Sequence, residues 1–412
     1  MSQPTEGRGA SARKQVQEEF PDVAKLIILK ADVQRRTVRY TPQALATVDP
    51  AIHPVNGRWI YTEKADFSPE SLLLRDGTSI LTAPLATAED PYLVDVVDGR
   101  TVLVDHGEVV EEVEFWTKPD FYDKFTTSGK PMWHIAHARP QRIEFNPYCN
   151  CRFWDNGKGC KFCGIASTYT RGKREASKPL HLDLRDIAET MQEALKQKGR
   201  FTSVFLTGGS IPQGAEVFDD EVDLYVDVLQ AIGESFGGRK FPSQLLGSAF
   251  SLKQVERLYS RTGIMSYTSD IEVLDPALFS WICPGKSEWV GYDHWKQRIV
   301  DAVGIFGKGF VTAGLVGGVE LAKPHGFASE DEALKATLGE AEGLAQKGVG
   351  TVACVWVPYQ GTVFQKQKVP SLRYYVALAR GLQNLRNQYR ISIEMDNYRR
   401  CGNHPDSDLG RI

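Results

Sequence analysis

From residue 140 onward the chain alternates short apolar runs with longer stretches of helical periodicity, and this alternation limits the fold more than any other feature. Strands are expected over Arg142 to Asn146, Ser203 to Thr207, Gln244 to Ala249, Ser266 to Val273, Phe310 to Val316 and Thr351 to Val357. Helices are expected at about 183 to 198, 219 to 235, 251 to 261, 293 to 306, 330 to 347 and 370 to 388, where apolar residues recur every three and four positions. Successive βα units demand parallel strands, because only a long crossover returns the chain in the same direction. Such a sheet is an open barrel or doubly wound, and both put ligands at the C-terminal ends of the strands.

The loop after the first of these strands holds four of the seven cysteines: Cys149, Cys151, Cys160 and Cys163. Cys160-Lys161-Phe162-Cys163 lets two thiolates reach one metal centre from a single turn, and a third thiolate from the preceding segment completes a three-cysteine site. A [4Fe-4S] cluster held that way keeps one iron open for chemistry, as catalytic zinc sites keep a position open. The competing reading is a four-cysteine zinc knuckle, against which Cys149-Asn150-Cys151 is too tight for the usual zinc spacing.

These residues resemble the radical S-adenosylmethionine (SAM) superfamily, in its biotin-synthase-like and HydE-like branch. Members carry C-x-x-x-C-x-x-C after the first strand of a partial barrel, with an aromatic residue before the last cysteine, here Phe162. The first spacing is expanded: ten residues separate Cys149 from Cys160 and eight separate Cys151 from Cys160. Cys149 keeps the typical distance from the strand and is the expected first ligand, with Cys151 as its alternative. Gly208-Gly209-Ser210 stands where members place a turn whose backbone receives the SAM amino group. Glu272 occupies a strand-four position that in members faces the SAM ribose and methionine, with a structural salt bridge as the alternative; Ser248 is a candidate of the same kind. Gly314 to Glu320 is similar to the G-x-V-G-x-x-E segment of biotin synthase, and Pro358 to Thr362, with Gly361, to a P-x-x-G-T segment that meets adenine. The resemblance covers about residues 138 to 395.

What it implies is an α/β protein with a partial (β/α)6 TIM-like barrel, and an oxygen-sensitive enzyme with a [4Fe-4S] cluster and SAM as cofactors. An external one-electron reductant of the flavodoxin or ferredoxin kind drives cleavage of SAM to a 5′-deoxyadenosyl radical, which takes hydrogen from a small-molecule substrate. The alternatives are a non-catalytic zinc or iron-sulfur protein that binds a partner, and a cluster-dependent methyl or sulfur transferase.

Around the barrel, residues 1 to 19 read as a disordered tail, 20 to 135 as a small β-rich N-terminal domain, 136 to 395 as the barrel and 396 to 412 as a C-terminal closing segment. The β-rich reading rests on apolar runs such as Leu26 to Leu29, Tyr92 to Val97 and Thr101 to Val104, and on Asn56-Gly57, Asp76-Gly77 and Asp98-Gly99 as hairpin signals. The stretch Trp281 to Trp289 reads as a helix-capping loop with a solvated Lys286, or as a binding loop for an anionic or planar substrate. Cys354 is expected to be a buried inert thiol, while Cys401 and His404 are weak candidates to face substrate. No second Cys-x-x-Cys pair is left for an auxiliary cluster. A formal net charge of -3 gives no footprint for a nucleic-acid partner, and no apolar run suits a membrane span or signal peptide. Clustered, odd-numbered cysteines suit a reducing, cytoplasmic setting rather than a disulfide framework.

Overall fold

The computed structural model describes residues 10–49, 51–53, 69, 71–81, 90–139, 141–165, 181–358, 360–393 and 402–410. The expected mobile tail is helical from residue 10: α1 (Ala10–Glu19) buries Val16. The run Leu26 to Leu29, expected as a strand, lies in helix α2 (Lys25–Arg36), in which every residue from Ile27 to Val33 is buried. Its apolar residues cover more than one face because the helix serves two cores. Ile27, Ile28 and Ala31 join the large core, and Leu29 and Val33 join the small one.

The small core backs a sheet of β1 (Val38–Tyr40), β2 (Ser71–Leu74), β3 (Ser79–Leu81), β4 (Tyr92–Val97), β5 (Arg100–Asp105) and β6 (Glu108–Phe115), in the order β1-β4-β5-β6-β2-β3. Helix α3 (Pro42–Ala46) follows β1. Asp98-Gly99 turns the β4/β5 hairpin with both residues at positive φ, 50° and 76°. Asp76-Gly77 turns β2 into β3, and Asn56-Gly57 lies outside the described residues.

The larger sheet runs β13-β12-β11-β10-β9-β8-β7. β7 (Ala136–Arg139) pairs antiparallel with β8 (Arg142–Phe145). From β8 the strands β9 (Ser203–Thr207), β10 (Ser243–Leu246), β11 (Ser266–Glu272), β12 (Val311–Gly317) and β13 (Gly350–Val355) are all parallel, each beside its predecessor in the chain. Strand order therefore never switches, as a doubly wound sheet would require, and right-handed crossovers put the connecting helices on one face of a curled sheet. Those helices are α4 (Leu184–Lys196), α5 (Asp219–Glu234), α6 (Leu252–Thr262), α7 (Pro276–Ile282), α8 (Pro284–Trp289), α9 (Tyr292–Phe306), α10 (Glu330–Gln346) and α11 (Leu372–Gln388). Asp183, Ser251, Asp275, Ser329 and Ser371 cap five of them through side-chain oxygens. Tyr267 on β11 faces these helices, stacking on Phe250 and Phe306 with ring centres 5.7 and 5.9 Å away. By alternation Thr268 and Asp270 face the other way, into the curl.

Helix α12 (Pro405–Asp408) covers the free edge of β13. Asp406 accepts the Ala353 N–H at 3.1 Å and pairs with Arg386 at 2.7 Å, while Asp408 pairs with Lys30 of α2 at 2.6 Å, both side chains wholly buried. His404 sits among Asp406, Arg142, Lys30 and Asp408, and burial pulls its pKa down to about 4. Cys401 lies outside the described residues. Among the described residues no helix is long and apolar enough to cross a membrane.

Candidate functional site

The cysteine loop leaves the sheet at Phe145. The Cys149 thiol sits 3.4 Å from the Asn146 carbonyl oxygen. The extra residues of the expanded spacing form a 3-10 turn, Arg152–Asn156, closed by Gly157 at φ 68°, and its Phe153 is buried in the large core. The chain then reaches Cys160 and Cys163, whose turn closes through a 3.0 Å bond from Cys163 N–H to the Cys160 carbonyl.

Gly209, at the end of β9, is pressed against this loop. A Cβ there would fall 1.8 Å from the Asn150 carbonyl oxygen and 2.6 Å from the Cys151 Cβ. The Gly209 N–H donates to Tyr148 O at 3.3 Å, and Arg152 N–H to Ser210 O at 2.9 Å. The glycine pair expected to meet a ligand is thus what lets the cysteine loop lie on the strand end.

Burial pushes the Cys151 thiol up to about 11, with Cys160 adding to the rise. Cys163 is raised by burial first, then by Cys160, Cys151 and Glu272. These three thiols therefore lie within electrostatic reach of one another. Among the described residues no three His, Cys, Asp or Glu side chains form a group that could hold a metal ion.

Beside the cysteines, β11 ends in a bulge between Asp270 and Glu272, and Glu272 adopts φ 69°. Lys286 Nζ donates to the Asp270 carbonyl and to Glu272 Oε1, each at 2.6 Å, and lies 4.7 Å from the centre of the Trp295 ring. The lysine expected as solvated is buried, and the expected loop around it is the helix pair α7 and α8. Burial alone would lower the Lys286 pKa, but Glu272, then Cys160, Cys283 and Asp270, hold it above the ordinary value. Asp270 is pushed up by burial and by Glu272, and its Oδ1 occupies the space where a Cβ on Gly314 would be, 1.9 Å away. Cys354 on β13 faces this pair: burial, then Glu272 and Asp270, raise its thiol.

Glu221, on the first turn of α5, is a site residue the sequence did not single out. It accepts from Ile211 N–H at 2.8 Å and from Ser248 N–H and Oγ at 2.9 Å each, and Ser248 Oγ is also 2.9 Å from Ser210 Oγ. Those bonds favour the carboxylate, yet burial outweighs them and pushes Glu221 up to about 7. The candidates Ser210 and Ser248 therefore bond each other directly, and a carboxyl group from the neighbouring helix holds Ser248. In the sequence it reads as one of three acids complementing a helix N-terminus, Asp219-Asp220-Glu221.

Further along the strand ends, Glu320 accepts from Gly318 N–H at 2.7 Å and from the Tyr374 hydroxyl. Gly361 turns at φ 84°, with its N–H on Gln365 Oε1 at 3.1 Å. Phe162 packs on the large core. Trp281 lies 4.8 Å from His325 and 5.2 Å from Phe364, and the neighbouring Trp356 buries an Nε1–H that has no partner among the described residues.

No family model matches the chain. It is similar to the bacteriochlorophyllide c C-7(1)-hydroxylase of Chlorobaculum limnaeum, 23% identical over 367 residues that span 81% of this chain and 87% of that one. Among solved structures it is similar to methylornithine synthase (15% identity, TM-score 0.40, covering 61% of this chain and 69% of that one). It is also similar to a radical SAM methyltransferase from Sphaerobacter thermophilus (14%, 0.42, 76% and 80%) and to the radical SAM coproporphyrinogen III oxidase from Escherichia coli (12%, 0.36, 63% and 55%).

Proposed function

We propose that this chain is a radical SAM enzyme, built on a partial (β/α)6 barrel, that holds a [4Fe-4S] cluster on Cys151, Cys160 and Cys163 and acts on a C–H bond of a small-molecule substrate. The observation that carries this reading is the meeting of three thiols from one loop with Glu272 and Lys286 at the C-terminal ends of parallel strands. Likeness to a hydroxylase over most of both chains supports chemistry at a C–H bond.

The donor set fits such a cluster in kind: three soft thiol ligands from one loop, backed by Gly209. We take Cys151, the alternative to Cys149 in the sequence, as the third ligand: Cys160 raises its thiol, it raises that of Cys163, and Gly209 backs it. Bound there with SAM, the cluster supplies one-electron cleavage of the sulfonium to a 5′-deoxyadenosyl radical, at the expense of an external reductant.

The chain's own residues orient and enclose. Lys286 fixes the Glu272 carboxylate so that its second oxygen is free to meet a hydroxyl or ammonium group. Glu221 holds Ser248 and the Ile211 N–H, and Ser248 in turn bonds Ser210, making one strand-end platform. Trp281, Trp356 and Phe364 exclude water beside the last strand, and the Trp356 Nε1–H, without a partner among the described residues, is a donor held ready for a ligand oxygen. The region before residue 136, anchored through α2 to both cores, helps close the barrel.

The test is anaerobic reconstitution with iron and sulfide, then dithionite and SAM. About four irons per chain and release of 5′-deoxyadenosine are expected. Bound zinc with no SAM cleavage overturns the reading.

A further inference from the structure

The cysteine loop is bordered by two segments that follow neighbouring strands, residues 321–328 after β12 and 360–370 after β13. The second lies directly on the loop: the Phe364 N–H donates to the Lys161 carbonyl at 3.2 Å, between Cys160 and Cys163. The first is laced to the second, because the Gln367 side chain donates to the Lys323 carbonyl at 2.8 Å and accepts the Lys323 N–H at 2.9 Å. On the other side of the loop, Lys158 pairs with Glu288 of α8 at 3.1 Å. These pieces of chain form one continuous surface, and its charge is one-sided. Residues 321–328 and 360–370 contain Lys323, Lys366 and Lys368 and not one Asp or Glu. All three lysines are exposed, and none forms an ion pair with a carboxylate among the described residues. The nearby carboxylates Glu288 and Asp155 are already matched by Lys158 and Arg152, the latter pair at 3.1 Å. Apolar side chains share the surface, with Val363 64% and Trp289 42% exposed. A chain of formal net charge -3 thus concentrates positive charge beside its cysteine loop.

We propose that this surface, with Lys366 and Lys368 at its centre, docks an acidic one-electron carrier protein that delivers the electron to the cysteine site. The proposal rests on the cluster reading above and gives its reductant a charge and a landing place. A carrier seated on residues 360–370 rests on the segment bonded to Lys161, which adjoins Cys160. In each encounter the carrier loses one electron and the cluster gains it, and no bond is made or broken. Exposed lysines steer an acidic partner to this face and raise its rate of arrival. Because such charges are screened by salt and hold a partner weakly, they suit one that must leave after a single electron. Val363 and Trp289 supply the apolar contact that a protein face can use and a small anion cannot.

The experiment compares the full chain as wild type, as K366E/K368E and as K198E/K347E, a control of equal net charge. The control lysines are exposed at the opposite end of the strands, ahead of β9 and β13. Each protein, reconstituted anaerobically, is driven to cleave SAM either by reduced flavodoxin, an acidic carrier, or by dithionite. With flavodoxin at low salt, K366E/K368E is expected to raise the KM for the carrier about tenfold with little change in kcat, and the gap should close as salt is added. With dithionite the three proteins should match. A wild-type KM for flavodoxin in K366E/K368E overturns the proposal. A matching loss with dithionite also overturns it, since the lysines then serve the site itself, and so does a matching loss in K198E/K347E, since net charge alone then governs the rate. Flavodoxin binding is read separately by calorimetric titration of the metal-free full chain, where K366E/K368E should bind about tenfold more weakly than the other two. If wild type cleaves no SAM with dithionite, the functional reading has failed and this titration alone judges the surface. Equal binding by all three proteins, or none by wild type, then overturns it.

Discussion

Lys286 and Glu272 meet with Nζ 2.6 Å from Oε1, and Glu272 takes a left-handed backbone, φ 69°, at the point where the β11 ladder slips register. A bulky residue holds that conformation at a cost of about 1–3 kcal/mol, so the surrounding structure must impose it. Here the imposing group is a buried ammonium that also binds the Asp270 carbonyl.

Replacing the lysine by methionine therefore leaves Asp270 and Glu272 buried without their counter-charge. K286M is expected to lower unfolding free energy by about 3–5 kcal/mol. Denaturant unfolding at neutral pH measures it, and a loss under 1 kcal/mol would show that the carboxylates find other partners.

Glu221 gives a pH signature. Its folded pKa is raised from the ordinary 4.5 to about 7, so the folded protein keeps a proton that the unfolded chain has already released. The stability this contributes is fully present below pH 4.5 and disappears as pH rises toward 7. Relative to E221Q, wild type should lose on the order of 3 kcal/mol across that window. Parallel stability curves for the two proteins would contradict the assignment.

Two glycine substitutions should diverge. G209A drives a Cβ into the Asn150 carbonyl, so the cysteine loop must lift from β9, and iron incorporation should collapse while far-UV circular dichroism stays near wild type. Gly304, inside α9, has nothing within 4 Å of its Cβ position, and G304A should be stabilising by about 0.5–1 kcal/mol. Wild-type iron content in G209A would mean that the loop relaxes without loss.

The choice of third ligand is equally direct. C151A should abolish iron binding upon reconstitution, and C149A should retain most of it, as read by iron analysis and the visible absorption of the product. The reverse pattern would restore Cys149.

The βα frame was legible because its signals are local: period-3.6 helices, capping residues and buried strand runs place β8 to β13 and α4 to α6 within three residues at every end. Helix α2 was not, because a run such as Ile27-Ile28-Leu29 has no period and only its position between two cores decides its conformation. The motif region around Cys160 and Cys163 was readable from spacing alone. The proposed choice of Cys151 was not, since it rests on how a 3-10 turn folds back and on a glycine 58 residues further along the chain, Gly209 after Cys151. Glu221 and the burial of Lys286 were hidden for a related reason. Each becomes a site residue through partners on other strands, Ser248 and Glu272, and no local pattern encodes that meeting.

The wholly buried pair of Lys30 and Asp408 joins residues 378 positions apart. During synthesis, every residue of the barrel has been made before the counter-ion of Lys30 exists, and until then the edge of β13 lacks the Asp406 cap. A nascent chain halted before residue 402 would carry an unneutralised ammonium beneath an open sheet edge, a state that chaperones and proteases recognise. Those last contacts seal the barrel edge only once the chain has been made through Asp408.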